Sequence, residues 1–213
     1  MKIRDIIGAL EQFAPLSLQD GFDNAGLQIG LTEDAEASGA LLCLDVTEDV
    51  LHEAVAKGYN LVVSHHPLLF HAPKHITGED YVQRCIMLAI KNDIAVYSAH
   101  TNLDNAPGGV NWQMAERIGL QQVEPLETKG LPAPWQLAGA GVVGMLPQPM
   151  QREDFMALIK ERFTVDCLRH NAWTGRHVQR VALCGGAGAF LISKAVATGA
   201  DAFLTGETGY HRF

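Results

Sequence analysis

Short β-branched apolar runs alternate with helical stripes along almost all of this chain, and that alternation points to a layered α/β architecture. Ile3, Ile6, Ile7, Leu10 and Phe13 form a helical stripe that ends near Pro15. Residues 39–46, GALLCLDV, read as a buried strand, after which Thr47 can cap a helix that Gly58 closes. Leu61, Val62 and Val63 make the next strand, followed by a helix at 80–91, a strand at 94–99 and a helix at 110–118. Beyond Pro125, Pro132 and Pro134 the pattern predicts a strand at 137–146, a helix at 152–162 and strands at 165–169 and 178–184. A helix at 189–197 and a strand at 202–205 complete it. Repeated strand–helix–strand units predict largely parallel sheets. The Pro-rich stretch is the natural boundary, giving an α/β half over 1–125 and a second over 126–213.

An internal repeat supports two pseudo-symmetric halves, each containing a βαβ unit. Shifted by 141 residues, Ala40–His66 lies on Val181–Glu207 without a gap, with six identities in 27 positions. Leu42 and Cys43 fall on Leu183 and Cys184, and Ala54, Val55, Ala56 and Gly58 fall on Ala195, Val196, Ala197 and Gly199. Ala, Val and Gly are common in all such units, so the missing gaps carry more of the case than the identities. The alignment sets Gly206 and Glu207 where the first half has His65 and His66. A duplicated fold would bring equivalent strand ends to a cleft between the halves, beyond the carboxyl ends of the strands, where open α/β sheets bind ligands.

Composition narrows the function classes. The chain has 213 residues, 47% hydrophobic and 19% charged, with a formal net charge of −8. No Lys/Arg cluster stands out, which argues against a nucleic-acid partner. No apolar run approaches the roughly 20 residues of a membrane helix, and the N-terminus lacks a signal-peptide core. No membrane partner and a cytoplasmic location are therefore expected. Cys43, Cys85, Cys167 and Cys184 show no CxxC spacing, fall in apolar segments and read as buried reduced thiols.

The chemistry concentrates at two strand ends. His65 and His66 close the Leu61 strand, and His100, Asn102 and Asp104 close the next one. Neighbouring side chains of a strand point to opposite faces, so two adjacent imidazoles need a turn of the backbone to share an environment. Imidazole and carboxylate together suit Zn, Mn, Fe and similar divalent ions. Single histidines after strands are more often hydrogen-bonded structural groups, the reading adopted for His71, His75, His170, His177 and His211. The turns GGVN and GGAG, the latter Gly185 to Gly188, can cradle phosphate or simply join strand to helix. Residues 22–26, FDNAG, read as a turn.

FDNAGLQIG (22–30), SHHPLLF (64–70), HTNLDNAPGGVN (100–111) and TGETGYH (205–211) together resemble the GTP cyclohydrolase 1 type 2 homologues, also called Ngg-interacting-factor-three-like proteins. The resemblance implies a two-half α/β fold, a dinuclear metal site and a homo-oligomer assembled as a toroidal hexamer. It implies metal ligation by His65, His66 and Asp104, with two divalent ions (Zn, Mn or Fe) per subunit in the complete protein. The pattern of such proteins continues to a GHxxxE-type motif that these residues do not contain, so the expectation is a second half truncated at its C-terminus and an incomplete site. Glu207 reads as a supporting group and not as the replacement ligand.

The function expected on this basis is a metal-dependent hydrolase acting on a nucleotide or related heterocycle, with the GTP substrate implied only by the resemblance. His65 would hold one ion, His66 and Asp104 the other, and His100 would transfer a proton or orient a ligand. The alternative is a non-catalytic, metal-binding ring that serves as a scaffold or interaction factor.

Overall fold

A computed structural model describes residues 1–30, 35–172 and 177–212. The chain forms two compact units, Met1–Leu103 and Asp104–Phe213. The division precedes the Pro-rich stretch, which lies inside the second unit, with Pro125 in one of its strands and Pro132 and Pro134 between that strand and the next.

The first unit contains helix α1 (Ile3–Phe13), strands β1 (Gly26–Ile29) and β2 (Ala40–Cys43), helix α2 (Glu48–Lys57) and strand β3 (Leu61–Ser64). Helix α3 (Tyr81–Lys91) and strand β4 (Ala95–Ser98) follow. Local chemistry accounts for the helix ends. Thr47 accepts from the Val50 amide and Gly58 closes α2 at φ 68°, while Asp80 accepts from the Gln83 amide at the start of α3. The sheet order is β1-β4-β3-β2, with β2, β3 and β4 parallel and β1 antiparallel at the edge. Alternation along the strands sorts the two faces. Val62 and Val96 pack with Leu51, Ala54, Cys85, Ile86 and Ala89 of α2 and α3, whereas Leu61 and Ala95 pack with Ile3 of α1.

Helix α4 (Thr101–Asn105) spans the division, and the second unit continues with α5 (Val110–Ile118) and β5 (Gln121–Thr128). Strand β6 (Gly139–Met150), helix α6 (Arg152–Phe163), strand β7 (Val178–Cys184), helix α7 (Ile192–Ala197) and strand β8 (Ala202–Thr205) complete it. The order is β5-β6-β7-β8, and only β7 and β8 are parallel. This corrects the expectation of a largely parallel sheet here. Two pairs depart from it: β6 and β7 run antiparallel although α6 joins them, and β5, which holds Pro125 and reads as linker, adds an antiparallel edge strand, where a residue without an N–H is tolerated. Ala115, Ile118, Phe155 and Ile159 cover one face of the sheet, and Leu191 and Ala195 the other.

Two smaller differences have local causes. Residues 165–169 form no strand; they are mostly exposed, so Cys167 is not the buried thiol expected, only Leu168 packs against the core, and the Val165 amide instead caps α6 by bonding to the Lys160 carbonyl. The helix expected at 189–197 begins as a 3-10 turn, Gly188–Leu191, before α7.

The paired strands of the repeat share one register. Ala40 faces Leu61 and Cys43 faces Ser64 in the first unit, and Val181 faces Ala202 and Cys184 faces Thr205 in the second, each position displaced by 141 residues. The flanking strands differ: β3 has the parallel β4 at its other side, whereas β8 is a sheet edge among the described residues.

Candidate metal centre

His65 and His66 follow β3 directly, and the chain bends at both residues. Their amides bond to the carbonyls of Cys43 and Leu44, at 3.1 and 2.9 Å, which anchors the bend beside the end of β2. Two buried serines hold it from below. Ser64 Oγ donates to the His66 carbonyl at 2.9 Å and lies 2.8 Å from Ser98 Oγ on β4. The bend brings the His65 and His66 ring centroids to 5.0 Å, so the neighbours share one environment despite the strand geometry that precedes them.

His100 follows β4, the parallel neighbour of β3, and joins them. Its ring centroid lies 5.2 Å from that of His65 and 5.7 Å from that of His66. One ligand nitrogen from each of these three side chains falls within 4.8 Å of the others, making a group that could hold a metal ion.

Each ring already has a partner at Nδ1. His65 Nδ1 lies 2.8 Å from the Ala99 carbonyl, His66 Nδ1 2.8 Å from Asp45 Oδ1, and His100 Nδ1 2.8 Å from Asp23 Oδ1. An acceptor at Nδ1 places the proton there and leaves Nε2 as the nitrogen with a lone pair. Imidazoles that bind metal are oriented in this way, with the second ring nitrogen donating to a carbonyl or carboxylate. The donor set therefore fits a divalent ion that accepts nitrogen ligands, Zn, Mn or Fe among them.

The two carboxylates differ in environment. Asp45 is 68% exposed, whereas the Asp23 side chain is fully enclosed. Burial alone would raise the Asp23 pKa, but donation from Thr101, His100 and the Asn24 amide prevails and holds it below the usual carboxylate value. Beside His66 opens a cavity of about 340 Å³, lined by Asp45, Val46, Thr47, Pro67, Leu68 and Tyr81 as well.

Asp104 sits on α4, one turn after His100, and its carbonyl accepts from Asn111 Nδ2 at 2.9 Å. It is outside the metal-capable group found among the described residues. Glu207 is exposed, and its amide bonds to the Gly186 carbonyl. The amides of Gly185 and Gly188 in the GGAG turn are taken by Asn111 Oδ1 and Thr205 Oγ1, as a strand-to-helix turn requires. Sequence pattern alone does not mark Asp23, Asp45, Ser64 or Ser98 as parts of a site. The signal for Asp45 was its position at the end of β2, level with the histidines; Asp23 stood inside the FDNAG segment.

The family model for Duf34/NIF3 (NGG1p interacting factor 3) matches residues 1–213. The chain belongs to this family. It is 37% identical over 211 residues to a "GTP cyclohydrolase 1 type 2 homolog" of Clostridium perfringens, covering 99% of this chain and 79% of that protein. It is 32% identical to "NIF3-like protein 1" of Drosophila melanogaster, covering 99% and 70%. Among solved structures, a Staphylococcus aureus protein superimposes with a TM-score of 0.88 at 31% identity, covering 100% of this chain and 81% of that one. A Bacillus cereus protein related to NIF3 gives 0.90 at 27% identity, covering 100% and 84%. As a member of the Duf34/NIF3 family the chain has a mixed α/β fold of two four-stranded sheets.

Proposed function

We propose that this Duf34/NIF3 protein is a metal-dependent hydrolase acting on a nucleotide or related heterocycle. The observation that carries the reading is the convergence of three imidazoles whose Nδ1 atoms are all engaged, because an acceptor at Nδ1 fixes the ring and makes Nε2 the basic nitrogen, as in imidazoles that bind metal. A divalent ion bound there would lower the pKa of a water molecule and supply a hydroxide near neutral pH. His65 and His66 are the proposed ligands. His100 either completes the set or accepts the proton of the attacking water, since both roles use its Nε2. The ligand role of Asp104, the second ion and the assembly into a toroidal hexamer rest on the family resemblance. The cavity beside His66 is lined by both polar residues, Asp45 and Thr47, and apolar ones, Val46 and Leu68, the mixture a heterocycle would use.

The name of the C. perfringens relative supports the nucleotide class, and that of the Drosophila relative supports the second reading, a non-catalytic interaction factor or scaffold. One structural observation favours the latter. Leu42 and Leu44, on and just beyond the edge strand β2, are 76% and 67% exposed, an apolar edge of the kind that partner chains cover. Turnover separates the two. Metal-loaded protein is expected to hydrolyse at least one member of a panel of GTP and other nucleotides, and His65→Ala to abolish it. Absence of turnover across the panel, with His65→Ala leaving assembly and partners unchanged, would overturn the enzyme reading.

A further inference from the structure

The FDNAG segment is more than a turn. Asp23 offers one fully enclosed carboxylate to four donors. Oδ1 takes the His100 ring at 2.8 Å and the Asn24 amide at 2.7 Å, while Oδ2 takes the Thr101 amide at 3.0 Å and the Thr101 hydroxyl. The Thr101 hydroxyl in turn accepts from the Asp20 amide at 2.9 Å, so its proton is directed to Asp23. The same segment reaches the other histidine loop. Asn24 Nδ2 donates to the Leu69 carbonyl at 2.8 Å, and the Leu69 amide donates to Gln28 Oε1 at 3.1 Å. Residues 20–28 thus brace the chain just after His100 and the chain just after His66.

We infer that Asp23 is the positioning residue of the histidine group: its carboxylate holds His100 in the Nδ1–H form, so that Nε2 is the free donor atom. The inference rests on the metal-site reading for what Nε2 serves, but not for the tautomer itself. A neutral imidazole without such a partner favours the Nε2–H form, which has no lone pair on the nitrogen the site needs. A carboxylate buried among donors performs this task better than an exposed one, because it cannot rotate away or exchange with water. Burial of an uncompensated carboxylate would be costly, and the four donors remove that cost.

Heteronuclear NMR of the imidazole nitrogens in the metal-free full chain tests the tautomer. The wild type is expected to show His100 as Nδ1–H, and Asp23→Ala to shift it towards Nε2–H and to weaken zinc binding about 10–100-fold. Thr101→Val, which loosens the same carboxylate from its far side, is expected to lower stability and leave the tautomer unchanged. His100 in the Nε2–H form in the wild type overturns the inference, and this holds even if Asp23→Ala does not fold. A folded Asp23→Ala variant whose tautomer and zinc affinity match the wild type also overturns it. An Nδ1–H wild type that binds no metal upholds the positioning role and defeats the metal-site reading instead.

Discussion

The carbonyl oxygen of Ala99 lies 2.8 Å from Nδ1 of His65, so the first imidazole of the group is oriented by the main chain of the adjacent strand end. That contact depends on register. β3 and β4 pair in parallel with Ser64 facing Ser98, which sets the residues after each strand side by side. The histidine sites are thus a direct consequence of strand pairing, while Asp23 and Asp45 supply the remaining orientation through side chains.

The serine pair beneath the histidines should be worth measurable stability. Ser64 and Ser98 are 2% and 0% exposed, and Ser64 Oγ serves both Ser98 Oγ and the His66 carbonyl. Ser64→Ala leaves a buried hydroxyl short of a partner, at a cost of about 1–3 kcal/mol. Urea unfolding of the variant should show a lower midpoint with an unchanged slope.

Gly139 is required by backbone proximity. It pairs with Thr128 across β5 and β6, and a Cβ there would lie 2.1 Å from the Glu127 carbonyl oxygen. Main-chain atoms cannot move aside without breaking the ladder, so Gly139→Ala should destabilise by about 3 kcal/mol. Thermal unfolding checks this, and a change within a few tenths of a kcal/mol would show that the pair of strands can separate locally.

Cys85 makes a pH-dependent prediction. It is fully buried in the core beside α2, and burial, with Glu48 acting in the same direction and Arg84 opposing, pushes its pKa up to about 11. A thiol whose folded pKa lies above its unfolded one, roughly 8.5, favours folding below the unfolded value. That contribution declines as pH rises through about 11. At pH 8, alkylation should therefore label exposed Cys167 quickly and Cys85 only on unfolding. Equal labelling rates in the native protein would contradict the buried assignment.

Much of the first unit was legible because its signals are local. Thr47 and Gly58 bound α2 where cap chemistry puts them, and the short β-branched run Leu61–Ser64 is a strand whatever surrounds it. β5 was not legible, because Pro125 marks a linker unless the strand is known to lie at an edge, a property only the assembled sheet decides. At the site, His65, His66 and His100 could be grouped from the ends of consecutive strands. Asp23 could not, since its contact with His100 spans 77 residues and depends on the antiparallel β1 closing the sheet, a strand whose four residues, GLQI, carry little pattern.

Titration of the full chain with zinc, manganese and ferrous ion, followed by calorimetry, tests the metal centre most directly. At least one ion is expected to bind per chain, with affinity lost in His65→Ala and His66→Ala while circular dichroism shows both variants folded. A wild-type chain that binds none of the three ions, or alanine variants that bind them as the wild type does, would contradict it.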